Sequence, residues 1–168
     1  ALRGVGRFVT VVMRSTMLPG SVLDELTPVL EQAAGGKAGR DFGVAINPEF
    51  LREGTSIYDF NNPPFTLIGA DDEESAELLK KLYAHLAAPV IIVRVKEAEM
   101  VKYACNCFHG LKVAFANEIG TICKALSVDS HRVMEVFCQD TKLNLSPYYL
   151  KPGFAFGGSC LPKDIRAI

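Results

Sequence analysis

Residues Phe42–Gly54 read FGVAINPEFLREG. Phe42–Ile46 is a short apolar run and predicts a buried strand. Asn47 is a good helix cap, Pro48 suits a first helical position, and Gly54 is a stop, so the spacing predicts a helix directly after the strand. On that helix Glu49 and Glu53 fall one turn apart. The same alternation extends both ways. Phe8–Met13 (FVTVVM) predicts a strand, and Ser21–Gln32 carries Val22, Leu26, Val29 and Leu30 at helical spacing until Gly35-Gly36 ends it. Phe65–Ile68 (FTLI) is a third strand, Asp72–Leu86 an amphipathic helix, and Val90–Val95 (VIIVRV) a fourth strand. Apolar strands alternating with helices predict an α/β fold, a parallel sheet covered on both faces. The expected unit is the second half of a Rossmann-like, doubly wound sheet. Gly4-Val5-Gly6 precedes a strand instead of following one, so it is not the Gly-rich turn that opens a dinucleotide fold. The chain therefore reads as beginning mid-domain.

After Val95 the period changes. About Glu97 to Leu126 reads as one long helix, with Met100, Ala104, Cys107, Leu111, Ile122 and Leu126 on one broad apolar stripe at about 100° per residue. Asp129 caps a shorter helix to about Phe137, and Thr141–Ser159 reads as loop. The expected division is residues 1–95, a half sheet, and 96–168, a helical domain.

The chain has 168 residues, a net charge of −1 and five cysteines. No basic patch marks a nucleic-acid partner and no apolar run is long enough to span a membrane. The cysteine spacings fit no zinc site, so no metal is expected. An odd number of unpaired-looking cysteines fits a reduced, cytoplasmic protein.

Four stretches carry chemistry. With Lys102 as zero, Asn106 and His109 lie within about 40° and Asn117 within about 60°, on a stripe opposite the apolar one. A lysine and an amide one turn apart can hold an anionic oxygen together; a solvated polar face is the plainer alternative. In the NPEFLREG stretch, a carboxylate at the carboxyl end of a strand can act as a base or bind substrate. Glu53 is the stronger candidate, because Glu49 equally serves a helix dipole. Ser15 and Thr16 offer hydroxyls at the same edge, or ordinary turn chemistry. In GGSCLPKD, Gly157 and Gly158 let the backbone approach a ligand. Cys160, with Lys163 and Asp164 in reach, reads as a nucleophile able to trap an aldehyde, with a structural cysteine as the alternative. Upstream, Tyr148, Tyr149, Lys151 and Phe154 offer rings and a cation suited to a sugar nucleotide, or a packed loop.

Taken in order, R-S-T at 14–16, N-P-E-F-L-x-E-G at 47–54, K-x-x-x-N at 102–106 and G-G-S-C-x-x-K-D at 157–164 resemble the nucleotide-sugar 6-dehydrogenases, the family of UDP-glucose and GDP-mannose dehydrogenases. The resemblance covers the whole chain. It implies an NAD-binding half domain followed by a central helix that makes a homodimer or higher homo-oligomer. It implies a four-electron, NAD-dependent oxidation of GDP-mannose to GDP-mannuronate, as in alginate synthesis, with UDP-glucose or a UDP-amino sugar as alternative substrate. It further implies Cys160 as thiohemiacetal nucleophile, Lys102 and Asn106 at the oxyanion, Asp164 and Thr16 at a water, and Glu53 as base in thioester hydrolysis. Ser15, Thr16, Glu53 and Lys163 are expected near the cofactor. Glu53, Lys102, Asn106, His109, Asn117, Tyr148, Tyr149, Lys151, Phe154 and Gly157 are expected on the substrate. An inert dimerisation module is the reading from a different class.

Overall fold

The computed structural model describes Leu2, residues 6–141 and residues 158–167, the side chains at 161, 164, 165 and 167 excepted. It forms two compact units, Ala1–Tyr103 and Ala104–Ile168. In the first, β1 (Thr10–Met13), β2 (Gly43–Ile46), β3 (Thr66–Ala70) and β4 (Val90–Val93) form one sheet in the order β1-β2-β3-β4. β1 pairs parallel to β2, with Met13 opposite Ile46, and β3 pairs parallel to β4. The β2–β3 pair is antiparallel, with Ile46 opposite Gly69. The sheet is therefore mixed, and the expectation of an all-parallel sheet is corrected at that pair. The reason lies in the connection. A parallel crossover needs a helix packed on the sheet, whereas the helix between these strands, Ser56–Asn61, buries none of its residues. The chain turns back at the carboxyl edge of β2 instead of crossing over.

Alternation along the strands divides the core. Val44, Ile46 and Leu67 pack on one face with Val22, Val95 and Ala98. Ala45 and Ile68 pack on the other with Leu79 and Tyr83. Burying a side chain such as Ile46 or Ile68 stabilises by about 2 kcal/mol, and both are 1% exposed or less. Covering helices on both faces is the doubly wound arrangement the sequence implies. Gly69 permits the closest approach, since an added Cβ would stand 2.6 Å from both the Ala98 and Ile46 side chains.

Numbered in chain order, the helices of this unit are α1 (Thr27–Ala34), α2 (Ser56–Asn61) and α3 (Glu73–Leu82). The helix expected over 21–32 is not continuous. Ser21–Leu26 is a wide, π-type segment closed by the Thr27 N–H on the Val22 carbonyl, and α1 follows. Thr27 and Pro28 explain the change. The Thr27 hydroxyl donates to the same Val22 carbonyl at 2.7 Å, and Pro28 has no N–H to continue the i→i−4 ladder. Gly35, at φ 73°, ends α1 as expected. Asp72 caps α3 through the Ser75 N–H.

The helix expected over 47–54 does not form either. Asn47 is 3% exposed and does not cap. Its side-chain amide donates to the Leu67 carbonyl at 2.8 Å, and its oxygen accepts from the Tyr83 hydroxyl at 2.6 Å. Those buried partners outbid a local cap, because an Asn left unpaired there would cost about 1–3 kcal/mol. Residues 47–52 form a loop without regular secondary structure instead.

The long helix is α4, Val95–Ala125. In the second unit it is followed by α5 (Ser130–Phe137), capped by Asp129 as predicted, and by α6 (Cys160–Ala167). Ala116 of α4 and Met134 of α5 are buried together, with the Phe115 and Phe137 rings 5.6 Å apart. α6 was not foreseen in the sequence. No helix among the described residues is long and apolar enough to cross a membrane.

Candidate active site

The parallel pairing of β1 and β2 sends two loops out of the same sheet edge, residues 14–20 and 47–55. The first carries Ser15, which is exposed, and Thr16, which is half-buried. The second carries Glu49 and Glu53. The Asn47 N–H donates to the Met13 carbonyl at 2.8 Å, tying the roots of the two loops together.

The first turns of α4 rise against this edge. Lys102 is 7% exposed, and its ammonium donates to the Glu49 carbonyl at 2.6 Å. It also lies 3.6 Å from the Glu49 carboxylate and 5.2 Å from the centroid of the Phe50 ring. Phe50 is held in turn by an edge contact with Phe65, centroids 5.4 Å apart. A desolvated ammonium over a ring, anchored through one of its three donors, can address an anionic oxygen with the others. Glu49 is half-buried and its carboxylate accepts from the Leu51 N–H at 2.7 Å, which shapes the loop.

Glu53 is exposed in a turn that reaches φ 84° at Gly54. That turn is clamped by Asp59, whose carboxylate accepts from the Arg52 backbone at 3.0 Å, the Arg52 guanidinium at 2.6 Å and the Thr55 hydroxyl at 2.9 Å. The Arg52 guanidinium, first among these contacts, holds Asp59 well below the usual carboxylate range. A carboxyl lowered on folding contributes stability above its unfolded value, near about 4, and loses it only as pH falls through the lower folded value. The Glu53 turn is thus expected to resist limited proteolysis at pH 4, and Asp59→Asn to open it already at pH 7.

The sequence placed Lys102 and Asn106 on an exposed polar stripe as the plainer alternative. Both are buried, at 7% exposure each, while Met100, Leu111, Ile122 and Leu126 of the apolar stripe are 47–68% exposed. Polar inside and apolar outside is the reverse of a solvated helix. In the second unit, His109 and Asn117 are half-buried on α4. Asn117 lines a cavity of about 510 Å³ together with Thr121, Lys124, Ser130 and His131. Burial lowers the Lys112 ammonium, one turn beyond His109.

Cys160 is exposed and opens α6, after Gly158 at φ 85°, with its sulfur 3.7 Å from the Ser159 hydroxyl. The first N–H groups of a helix have no intrahelical partner and favour negative charge beside them. Lys163 is exposed one turn further on. Asp164 belongs to α6, but its side chain lies outside the described atoms. Tyr148, Tyr149, Lys151, Phe154 and Gly157 lie outside the described residues. The structure thus gathers the Ser15–Thr16 loop, the Glu49–Glu53 loop and Lys102 in one unit. It sets Asn106, His109, Asn117 and Cys160 in the other.

Two groups escaped the sequence reading. Phe50 was not singled out. Glu99, completely buried, accepts from the Gly20 N–H at 2.6 Å and the Val22 N–H at 3.0 Å. A signal existed for Glu99, since it stands three residues before Lys102 and so on the same helical face.

Comparison with known proteins agrees with this layout. Residues 3–87 match the NAD binding domain of the UDP-glucose/GDP-mannose dehydrogenase family, and residues 96–168 match that family's central domain. A GDP-mannose 6-dehydrogenase of Pseudomonas putida is 58% identical over 99% of the chain. The chain spans only 38% of that relative's length. A crystal structure of a ternary complex of GDP-mannose dehydrogenase from Pseudomonas aeruginosa superposes with a TM-score of 0.83 at 57% identity, covering 99% of this chain and 38% of that one. A UDP-glucose dehydrogenase from Pyrobaculum islandicum superposes with a TM-score of 0.88 at 44% identity, covering 97% and 37%. With half of its length matching the NAD-binding model, and the rest of the site motifs falling in the central-domain match, the chain belongs to the UDP-glucose/GDP-mannose dehydrogenase family.

Proposed function

We propose that the complete protein carrying this chain oxidises the primary alcohol of GDP-mannose to the carboxylate of GDP-mannuronate, a four-electron reaction, in the cytoplasm. Residues 1–95 serve as part of the NAD-binding domain and residues 96–168 as the helical domain that carries the nucleophile. The observation that carries the reading is Lys102, a buried ammonium held over Phe50 by the Glu49 carbonyl at the edge where two motif loops emerge. Neither a solvated helix nor an inert dimerisation module needs such a group. The 58% identity to a GDP-mannose 6-dehydrogenase supports the choice of sugar nucleotide. The higher TM-score to a UDP-glucose dehydrogenase keeps UDP-glucose or a UDP-amino sugar as the second reading.

The residues fit NAD. Exposed Ser15, half-buried Thr16 and exposed Glu53 stand at the carboxyl edge of β1 and β2, where open α/β sheets bind dinucleotides. Lys163 adds a cation for phosphate. When bound, NAD supplies the hydride acceptor for each of the two oxidations.

The chain's own groups divide the remaining work. Glu53, His109, Asn117, Tyr148, Tyr149, Lys151, Phe154 and Gly157 bind and orient the sugar nucleotide. Once the alcohol has become an aldehyde, the Cys160 sulfur adds to its carbon, giving a thiohemiacetal. Lys102 and Asn106 stabilise the oxygen that gains charge. Loss of the second hydride leaves a thioester. Water, positioned by Thr16 and Asp164 and deprotonated with the help of Glu53, cleaves the C–S bond, releasing carboxylate and thiol. The five cysteines are free, consistent with a reducing compartment.

The exposed apolar stripe of α4, including Phe108, Leu111, Phe115, Ile122 and Leu126 at 40–68% exposure, is assigned to a second copy of the chain. Counting NADH per sugar with GDP-mannose and, separately, UDP-glucose tests the reaction. Two NADH from GDP-mannose alone supports it; two from UDP-glucose alone transfers it to that substrate; none from either sugar overturns it.

A further inference from the structure

The loop that carries Ser15 and Thr16 is anchored at both ends. At its start, the Met13 carbonyl accepts from the Asn47 N–H at 2.8 Å. At its far end stands Gly20, buried and at φ 102°, a left-handed conformation that an L side chain resists. An added Cβ there would also meet the Asp24 carboxylate at 2.7 Å. Gly20 has no side chain to cap the helical segment that begins at Ser21. The cap comes instead from Glu99, 79 residues away in sequence, which accepts the Gly20 N–H at 2.6 Å and the Val22 N–H at 3.0 Å. Both oxygens of a fully buried carboxylate are committed to backbone donors.

One turn along the same face of α4, Lys102 holds the second loop through the Glu49 carbonyl at 2.6 Å. The start of α4 therefore grips both loops, one with an anion and one with a cation. Three features hold the end of the first loop: two charge-assisted bonds, a fully buried carboxylate that makes them, and a Gly20 carbonyl that accepts from the Asp24 N–H at 2.7 Å. Asp24 is itself paired with Lys96 at 2.7 Å, on the turn before Glu99.

We propose that Glu99 is a positioning residue, which sets the Thr16 loop against Lys102 by clasping the Gly20 and Val22 amides from α4. The inference rests on the dehydrogenase reading above for its kinetic consequence, and on the clasp alone for its structural one. Gln at position 99 keeps the shape but turns an N–H₂ group toward a backbone N–H, so one of the two bonds becomes a donor–donor clash. Asp keeps the charge but is one methylene short of the amides.

The test uses the complete protein and two independent readouts. In Glu99→Gln, amide exchange at residues 20–22 is expected to speed up at least about tenfold relative to β2 and β3, as a local opening. The kcat for NADH formation is expected to fall about ten- to a hundredfold, because misplacement near 1 Å costs that much. The dissociation constant of the sugar nucleotide should stay within about twofold, and Glu99→Asp should fall between parent and Gln in both readouts. A general structural defect would instead raise exchange throughout the sheet and weaken sugar-nucleotide binding together with kcat, and that result overturns the proposal. Unchanged exchange at 20–22 overturns the clasp. Faster exchange with kcat within twofold of the parent overturns the positioning role. If Glu99→Gln does not fold, Glu99→Asp is judged by the same outcomes. A parent that forms no NADH with any sugar nucleotide overturns the dehydrogenase reading and the kinetic role with it, while the exchange readout still decides the clasp.

Discussion

Cys160→Ser in the complete protein is expected to lower uronate formation at least about a thousandfold, in line with the loss of other catalytic nucleophiles. A serine hydroxyl at the same position is far less ionised and a far weaker nucleophile than a thiol, so the covalent step stalls. The first oxidation does not need the sulfur. Single-turnover experiments should therefore still show NADH, but at most one per sugar bound instead of two, with an aldehyde that an amine reagent captures. Stability should change by no more than about 0.5 kcal/mol, because Cys160 is exposed at the first position of α6. Control substitutions of half-buried Cys105 and Cys107 separate the nucleophile from general thiol effects. Uronate formed by Cys160→Ser at the parental rate would remove the thiohemiacetal from the mechanism.

How far the sequence could carry this site is clearest at three places. The β2 strand was legible because five consecutive apolar residues leave little choice of environment. The helix predicted after it was not formed, since capping is a local preference of about 1 kcal/mol. Asn47 found partners in Leu67 and Tyr83, 20 and 36 residues further on, and no local rule sees those. On α4 the spacing correctly grouped Lys102 with Asn106. Spacing tells which residues share a face but not which face is covered, so the burial of the polar stripe and the exposure of the apolar one came from the fold. Glu99 went unnoticed for the same reason, and its partners are backbone amides, which leave no trace in side-chain pattern. α6 carries Pro162, a residue that by local preference argues against a helix. As the third residue of the helix, Pro162 gives up only an N–H that would have had no intrahelical acceptor.

Lys102→Met is expected to lower kcat about a hundred- to a thousandfold, the range seen when a single preorganised donor to a developing oxyanion is removed. Met keeps the apolar stem that packs against Phe50 and deletes the ammonium, so packing changes little. The Glu49 carbonyl, which accepts from Lys102 at 2.6 Å, loses that donor. This loss should destabilise the unit by about 1–3 kcal/mol, measurable by urea unfolding, and should loosen the loop after β2. The kinetic and structural effects are separable. A donor that acts on charge built up during reaction is worth more in the transition state than in the bound substrate, so kcat should fall far more than the KM for sugar nucleotide rises. Loosening of the loop alone would weaken substrate binding and leave kcat nearly intact. Lys102→Arg discriminates further. A guanidinium restores the charge and can stack on the Phe50 ring, but it presents a longer, planar fork in place of a compact ammonium, so its donors do not fall where the ammonium's do. It is expected to recover stability more fully than turnover. A Lys102→Met enzyme with kcat within threefold of the parent would place the oxyanion elsewhere and leave Lys102 as a strut between α4 and the Glu49 loop.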